Sequence, residues 1–219
     1  MRAVFLVAVV FTLLMANAPA RAEPECSGSP DLPYDIELEV DTPAARIHHD
    51  RSIAALGRAT VHGPGSRILG LAKTGLDFGW NVGFESEPMG EGFCFWVESV
   101  RLTARHASPD IYVARNYRRG GCQYRAILAH ERRHIRTSRD LINRYRPRLN
   151  MALTSLRIPT GRRPVYVTSR EEAKAKLRAL MGDLAEPVYR EMAAQLAKAQ
   201  ATLDSPASYR RLFKMCKSW

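Results

Sequence analysis

The run Cys122-Gln123-Tyr124-Arg125-Ala126-Ile127-Leu128-Ala129-His130-Glu131-Arg132-Arg133-His134-Ile135 carries the strongest pattern in this 219-residue chain. Its apolar residues Ile127, Leu128 and Ile135 continue through Leu141, Ile142, Tyr145 and Leu149 at spacings of three, four and seven. That stripe predicts an amphipathic helix over about 122–148, ended by Pro147 and packed on a sheet. At about 100° per residue, His130 (0°), Glu131 (about 100°) and His134 (about 40°) share one arc of the helix, while Arg132 projects about 200° from His130. One metal ion can therefore meet both imidazoles, and Glu131 falls beside the position left for water. This is the HExxH arrangement of a metal-activated hydrolase, which needs two neutral nitrogen ligands one turn apart and a carboxylate base between them. The alternative is a basic surface helix that carries two histidines by coincidence; the helical context that the motif demands favours the first reading.

Upstream, the periodicity changes from helical to alternating. Residues 35–40 alternate Ile36, Leu38 and Val40 against Asp35, Glu37 and Glu39, a half-exposed strand, and 46–50 is a short second one. Residues 52–58 read as a turn or short helix, and 62–66 as a loop. Residues 76–85 alternate Leu76, Phe78, Trp80, Val82 and Phe84 with polar residues and glycines, and a turn follows at 87–92. Residues 93–105 are apolar on both faces, as a central strand would be; a turn over 106–109 and a short strand over 110–114 complete the set. Downstream, Ser169 with Glu172 forms a capping box opening a second helix over about 170–203, which Gly182 and Pro187 should bend or interrupt. A turn beginning at Asp204 then leads to a short tail. The expected fold is α+β: an antiparallel sheet followed by the long HExxH helix and a second long helix.

The first residues describe a different kind of segment. Met1-Arg2, thirteen apolar or small residues from Ala3 to Met15, and Ala20-Arg21-Ala22 match a secretory signal peptide over 1–22, too short for a spanning helix. The expected mature product is a single domain over 23–219, exported to the periplasm or secreted, without a transmembrane segment. All four cysteines, Cys26, Cys94, Cys122 and Cys216, lie in it, and none have metal-ligand spacing, so disulfides are expected. Of three connectivities, Cys94 with Cys122 would tie a strand to the motif helix and Cys26 with Cys216 would tie the chain ends. The formal charge of +11 becomes +9 without Arg2 and Arg21, and fourteen arginines fall between Arg115 and Arg163. Export argues against nucleic acid as the partner. It leaves anionic envelope polymers or lipid headgroups, met by Arg132, Arg133 and Arg136, or simply a solvated helix face.

Several of these segments resemble a known family. Leu69-Gly70-Leu71, the cysteine-bearing strand at 93–100, and Ile111-Tyr112-Val113-Ala114, Tyr117 and Gly121-Cys122-Gln123-Tyr124 leading into Ala129-His130-Glu131 and His134 resemble bacterial secreted zinc-dependent proteases of an uncharacterised-domain family. The resemblance spans about 34–148. It implies a zincin-like peptidase acting on peptides or proteins of the cell envelope, with Zn2+ on His130 and His134 and with Glu131 as general base. The chain departs from the pattern in having arginine at both positions between Glu131 and His134, and no histidine after His134.

A catalytic zinc takes three protein ligands and keeps one position open. His48 and His49 point to opposite faces of a strand, so at most one could join a site, and His106 reads as decoration on a turn. If two antiparallel helices meet with the first ending near Arg148 and the second starting near Arg170, residue 184 lies level with His134. Glu186 is then the first choice of third ligand, with Asp204, as a capping residue folding back, next, and Glu191 and Asp183 as further candidates. The expected function is an exported zinc metallopeptidase. The competing expectation is a non-enzymatic exported protein that binds an anionic envelope component or partner peptide through the arginine-rich helix.

Overall fold

A computed structural model describes residues 24–28, 35–59 and 68–219; the signal-peptide segment and the loop at 62–66 lie outside the described residues. The sheet is organised by β4 (Gly92–Val113), whose antiparallel partner β3 (Gly70–Met89) runs along one edge for nearly its full length. Gly90, at φ +59°, takes the left-handed conformation that their tight turn requires. Along the other edge of β4 lie three short strands: β5 (Val165–Val167) against Phe93–Phe95, β1 (Asp35–Asp41) against Ser99–Arg105, and β2 (Arg46–His48) against Asp110–Tyr112.

The sheet is mixed, which corrects the antiparallel expectation: β1 and β2 run parallel to β4. Alternation in the sequence reveals a strand but not its direction, which the connection sets. Here α1 (Ile53–Arg58) and β3 intervene before β4, so the chain re-enters in the original sense. Two bulges modify the expected strand over 93–105 and the expected turn over 106–109. The pairing skips Glu98 between Gly83 and Phe84, so the buried positions of β4 pass from Phe95 and Val97 to Val100, Leu102 and Ala104. A second irregularity opposite Lys73 and Gly75, with Ser108 at φ 36°, replaces the expected turn over 106–109, and β4 continues through it.

Two long helices cover the sheet. α2 (Cys122–Thr154) runs beyond the expected stop at Pro147, and α3 (Arg170–Leu203) passes through Gly182 and Pro187. An internal proline costs about 3 kcal/mol. Fully burying Leu149 and Leu153, both at 0% exposure, contributes about 1.5–3 kcal/mol each, so packing outweighs the break. α3 starts as expected: the Ser169 side chain accepts from the Glu172 N–H, and the Glu172 carboxylate accepts from Thr168. The main core joins Phe95, Val97, Val100 and Leu102 to Leu141, Tyr145, Leu149, Met181 and Met192; a second core at the start of α2 joins Ile111, Val113, Tyr124, Ile127 and Ile135 to Leu212 of α4 (Pro206–Phe213).

The disulfides are Cys26–Cys94 and Cys122–Cys216, not the pairing of Cys94 with Cys122. Cys94 lies at the start of β4 and Cys122 beyond its end, tens of ångströms away at about 3.3 Å per residue. Cys122–Cys216 closes a separation of 94 residues, worth roughly 4–5 kcal/mol in the chain-entropy treatment. It also pins the tail, and with it α4, against the first turn of α2. Two disulfides fit an oxidising compartment, and among the described residues no helix is long and apolar enough to cross a membrane.

Candidate metal centre

The first half of α2 turns His130, Glu131 and His134 inward, at 1%, 5% and 6% exposure. Their neighbours come from the end of α3, which packs antiparallel: Glu191 bonds to Tyr145, Gln200 to His134, and Asp204 to His130. Gln200, not residue 184, is therefore level with His134. The sixteen-residue difference amounts to about 24 Å of helix. It arises because α2 is longer than expected and because residues 155–169 travel out to pair β5 with the start of β4 before α3 turns back.

This register decides which carboxylate reaches the histidines. Asp204, the C-cap residue of α3, places Oδ1 3.3 Å from His130 Nε2 and 3.1 Å from His134 Nε2, and the two nitrogens are 3.1 Å apart. A tetrahedral ion with bonds of about 2.0–2.1 Å has ligand atoms about 3.3 Å from one another. The triangle therefore matches one face of such a shell, and the group His130, His134 and Asp204 could hold a metal ion. Glu186, the first choice from sequence, is exposed and paired with Arg190 at 2.7 Å. Glu191 is engaged by the Tyr145 hydroxyl at 2.9 Å and by Arg148 at 2.7 Å, and Asp183 is exposed. Arg132 and Arg136 are exposed, whereas Arg133 turns its guanidinium to His130.

Two supporting residues were missed. Gln200 accepts from His134 Nδ1 and donates to the His134 carbonyl at 3.2 Å and to Ser138 Oγ at 3.3 Å, which leaves His134 Nε2 with its lone pair. Tyr209, on α4, sets its ring 5.3 Å from that of His130 and donates its hydroxyl to Asp204 at 3.3 Å. A signal for Gln200 exists in the sequence: Gln200 and Asp204, like His130 and His134, are four residues apart, so facing helices present two matched pairs. Nothing local marks Tyr209, which arrives by the fold of the tail. Gly70 is required by close approach, since a Cβ there would stand 2.5 Å from Ile127 Cγ2 and 2.7 Å from Glu131 Oε1.

The electrostatics follow from burial and pairing. Desolvation pushes the Glu131 carboxyl up to about 8, with Asp204 adding to the rise and His134, the Ala72 N–H and Arg133 opposing it. Burial also acts against the charged forms of Asp204 and His134. Hydrogen bonds from His130 and, in its doubly protonated form, from His134 nevertheless hold Asp204 well below the usual carboxylate range, and Asp204 and Gln200 raise His134 by favouring that form. Burial, then the Asp204 and Glu131 carboxylates, push the Tyr209 hydroxyl up.

The other histidines among the described residues, His48, His49 and His106, stand apart. His48 bonds to Asp110 at 3.0 Å and stacks on Tyr112, and His49 bonds to the Tyr117 carbonyl at 2.9 Å. His106 is not turn decoration: it is buried in β4 at 1% exposure, with neither ring nitrogen hydrogen-bonded among the described residues. Compared with known proteins, the chain matches no family model, no curated protein and no solved structure.

Proposed function

We propose that this protein is an exported zinc-dependent peptidase of zincin-like architecture, with His130, His134 and Asp204 as the metal ligands and Glu131 as the general base. The observation that carries this reading is the triangle of donor atoms, 3.1–3.3 Å on each side, with a buried carboxylate next to it in sequence. Two imidazoles and one carboxylate form a donor set that zinc favours over magnesium or calcium. Zinc held there supplies a Lewis acid that polarises a carbonyl and acidifies water.

The chain's own groups do the proton work. The ionised form of Glu131, which the charge of a zinc ion held there would favour, could then take a proton from water as the water oxygen bonds to the carbonyl carbon. The C–N bond breaks as Glu131 returns that proton to the departing amine. Gln200 holds His134 in the tautomer that leaves Nε2 for the metal, and Tyr209 orients Asp204.

A second reading, recognition of an anionic envelope component, draws on the exposure of Arg132 and Arg136. Hydrolysis of unstructured protein substrates separates the two. Under the peptidase reading, cleavage is abolished by a chelator, restored by stoichiometric zinc, and lost in Glu131→Gln with zinc retained. Cleavage that persists in Glu131→Gln, or no cleavage by the zinc-loaded protein, would overturn it.

A further inference from the structure

Arg133 lies three residues after His130, one turn along the same side of α2. Its Nη2 is 3.2 Å from His130 Nδ1. A guanidinium carries five N–H donors and no acceptor, so Nδ1 must supply the lone pair in this contact. In a neutral ring the proton then sits on Nε2. That atom faces Asp204 Oδ1 at 3.3 Å and His134 Nε2 at 3.1 Å, the position a metal would share. The two histidines are thus set in opposite ways. Gln200 accepts from His134 Nδ1 and frees its Nε2, whereas Arg133 donates to His130 Nδ1 and leaves the proton on the atom that must ligate.

A metal-binding histidine normally donates its other N–H to a carboxylate, a carbonyl or water, and removing such a partner changes affinity by about 10–100-fold. Here that partner has the wrong polarity. We propose that Arg133 is a latch on metal uptake: it holds His130 in the Nε2–H tautomer, bonded to Asp204, and must swing aside before the site takes a divalent cation. This inference rests on the metal-site reading above. Arg133 is half-buried, on the border of the exposed arginine face, which gives its side chain a path into water. The latch accounts for an arginine inside the motif, directly before the second ligand, and lowers zinc affinity relative to a site with an acceptor there.

The test is zinc titration of chelator-stripped protein against a competing chromophoric chelator, for wild type, Arg133→Gln and Arg133→Met. Both substitutions remove the charge, but only glutamine offers an oxygen to His130 Nδ1–H. Glutamine is expected to tighten zinc binding about 10–100-fold, and methionine by less. 15N spectra of the imidazole in metal-free protein should show His130 Nδ1 unprotonated in wild type and protonated in Arg133→Gln. If wild type binds one zinc and Arg133→Gln binds no more tightly, the latch is wrong while the site stands. If neither protein binds zinc, the site reading fails and the latch with it.

Discussion

Replacing Glu131 by glutamine should make the metal-free protein more stable above pH 4.5, by an amount that grows until about pH 8 and is constant beyond it. The Glu131 carboxyl is buried, and its pKa is raised to about 8 from an ordinary 4.5. Below pH 4.5 the group is protonated in both folded and unfolded chains and contributes no difference. Between pH 4.5 and 8 the unfolded chain releases the proton while the folded chain keeps it, so stability falls as pH rises, by about 1.4 kcal/mol per unit. Across the whole interval this sums to roughly 5 kcal/mol as an upper figure, and a few kcal/mol after local relaxation. Glutamine has the same shape, can accept from the Ala72 N–H and never ionises, so the slope disappears. The assay is urea unfolding of disulfide-intact, chelator-treated wild type and Glu131→Gln at pH 4.5, 6 and 8. The two should be close at the lowest pH, with the variant ahead at pH 8. A difference that stays flat across the range, or a variant weaker at pH 8, would refute the reasoning.

Three other substitutions probe the surroundings. Asp204→Asn should weaken zinc binding by more than the 10–100-fold typical of groups that only support a ligand, whereas Glu186→Gln should leave it unchanged; the reverse order in a zinc titration contradicts the assigned register. His106 has its pKa held below the ordinary 6.5, first by burial and then by the Arg139 charge, so its neutral fold loses stability as pH falls below 6.5. His106→Leu should remove that acid-side loss and gain about 1 kcal/mol at pH 5, read from denaturant curves; unchanged pH dependence would show that His106 is not its source. Gly70→Ala drives a methyl group into Ile127 and Glu131, and should cost about 1–3 kcal/mol in thermal stability and about 100-fold in peptide hydrolysis while zinc is retained; full activity would mean that Glu131 need not sit where it does.

What the sequence made legible was local. The apolar stripe from Ile127 to Leu149 placed α2 and turned His130, Glu131 and His134 inward, because both depend on a 3.6-residue period that any window of the chain reveals. Alternation located β1 and the centre of β3, and the Ser169 cap located the start of α3. What failed was long-range. The direction of β1 and β2 depends on the path through α1 and β3, and the partner of Cys94 on which end of a long strand it occupies. Which carboxylate faces the two histidines depends on a helix register that the longer α2 and the stretch 155–169 together shift by sixteen residues, and that shift puts Asp204 there in place of Glu186. Pro147 and Pro187 are local signals that buried leucines and methionines override. His106 was misplaced because a bulge at Ser108 reads as a turn.

The central claim is a metal held by His130, His134 and Asp204, and the most direct test is a crystal of zinc-soaked protein measured at the zinc absorption edge. A single strong anomalous peak is expected between α2 and the end of α3, about 2.0–2.2 Å from His130 Nε2, His134 Nε2 and an Asp204 carboxylate oxygen. A peak that includes Glu186 or excludes Asp204, or no peak between the two histidines, would contradict that claim.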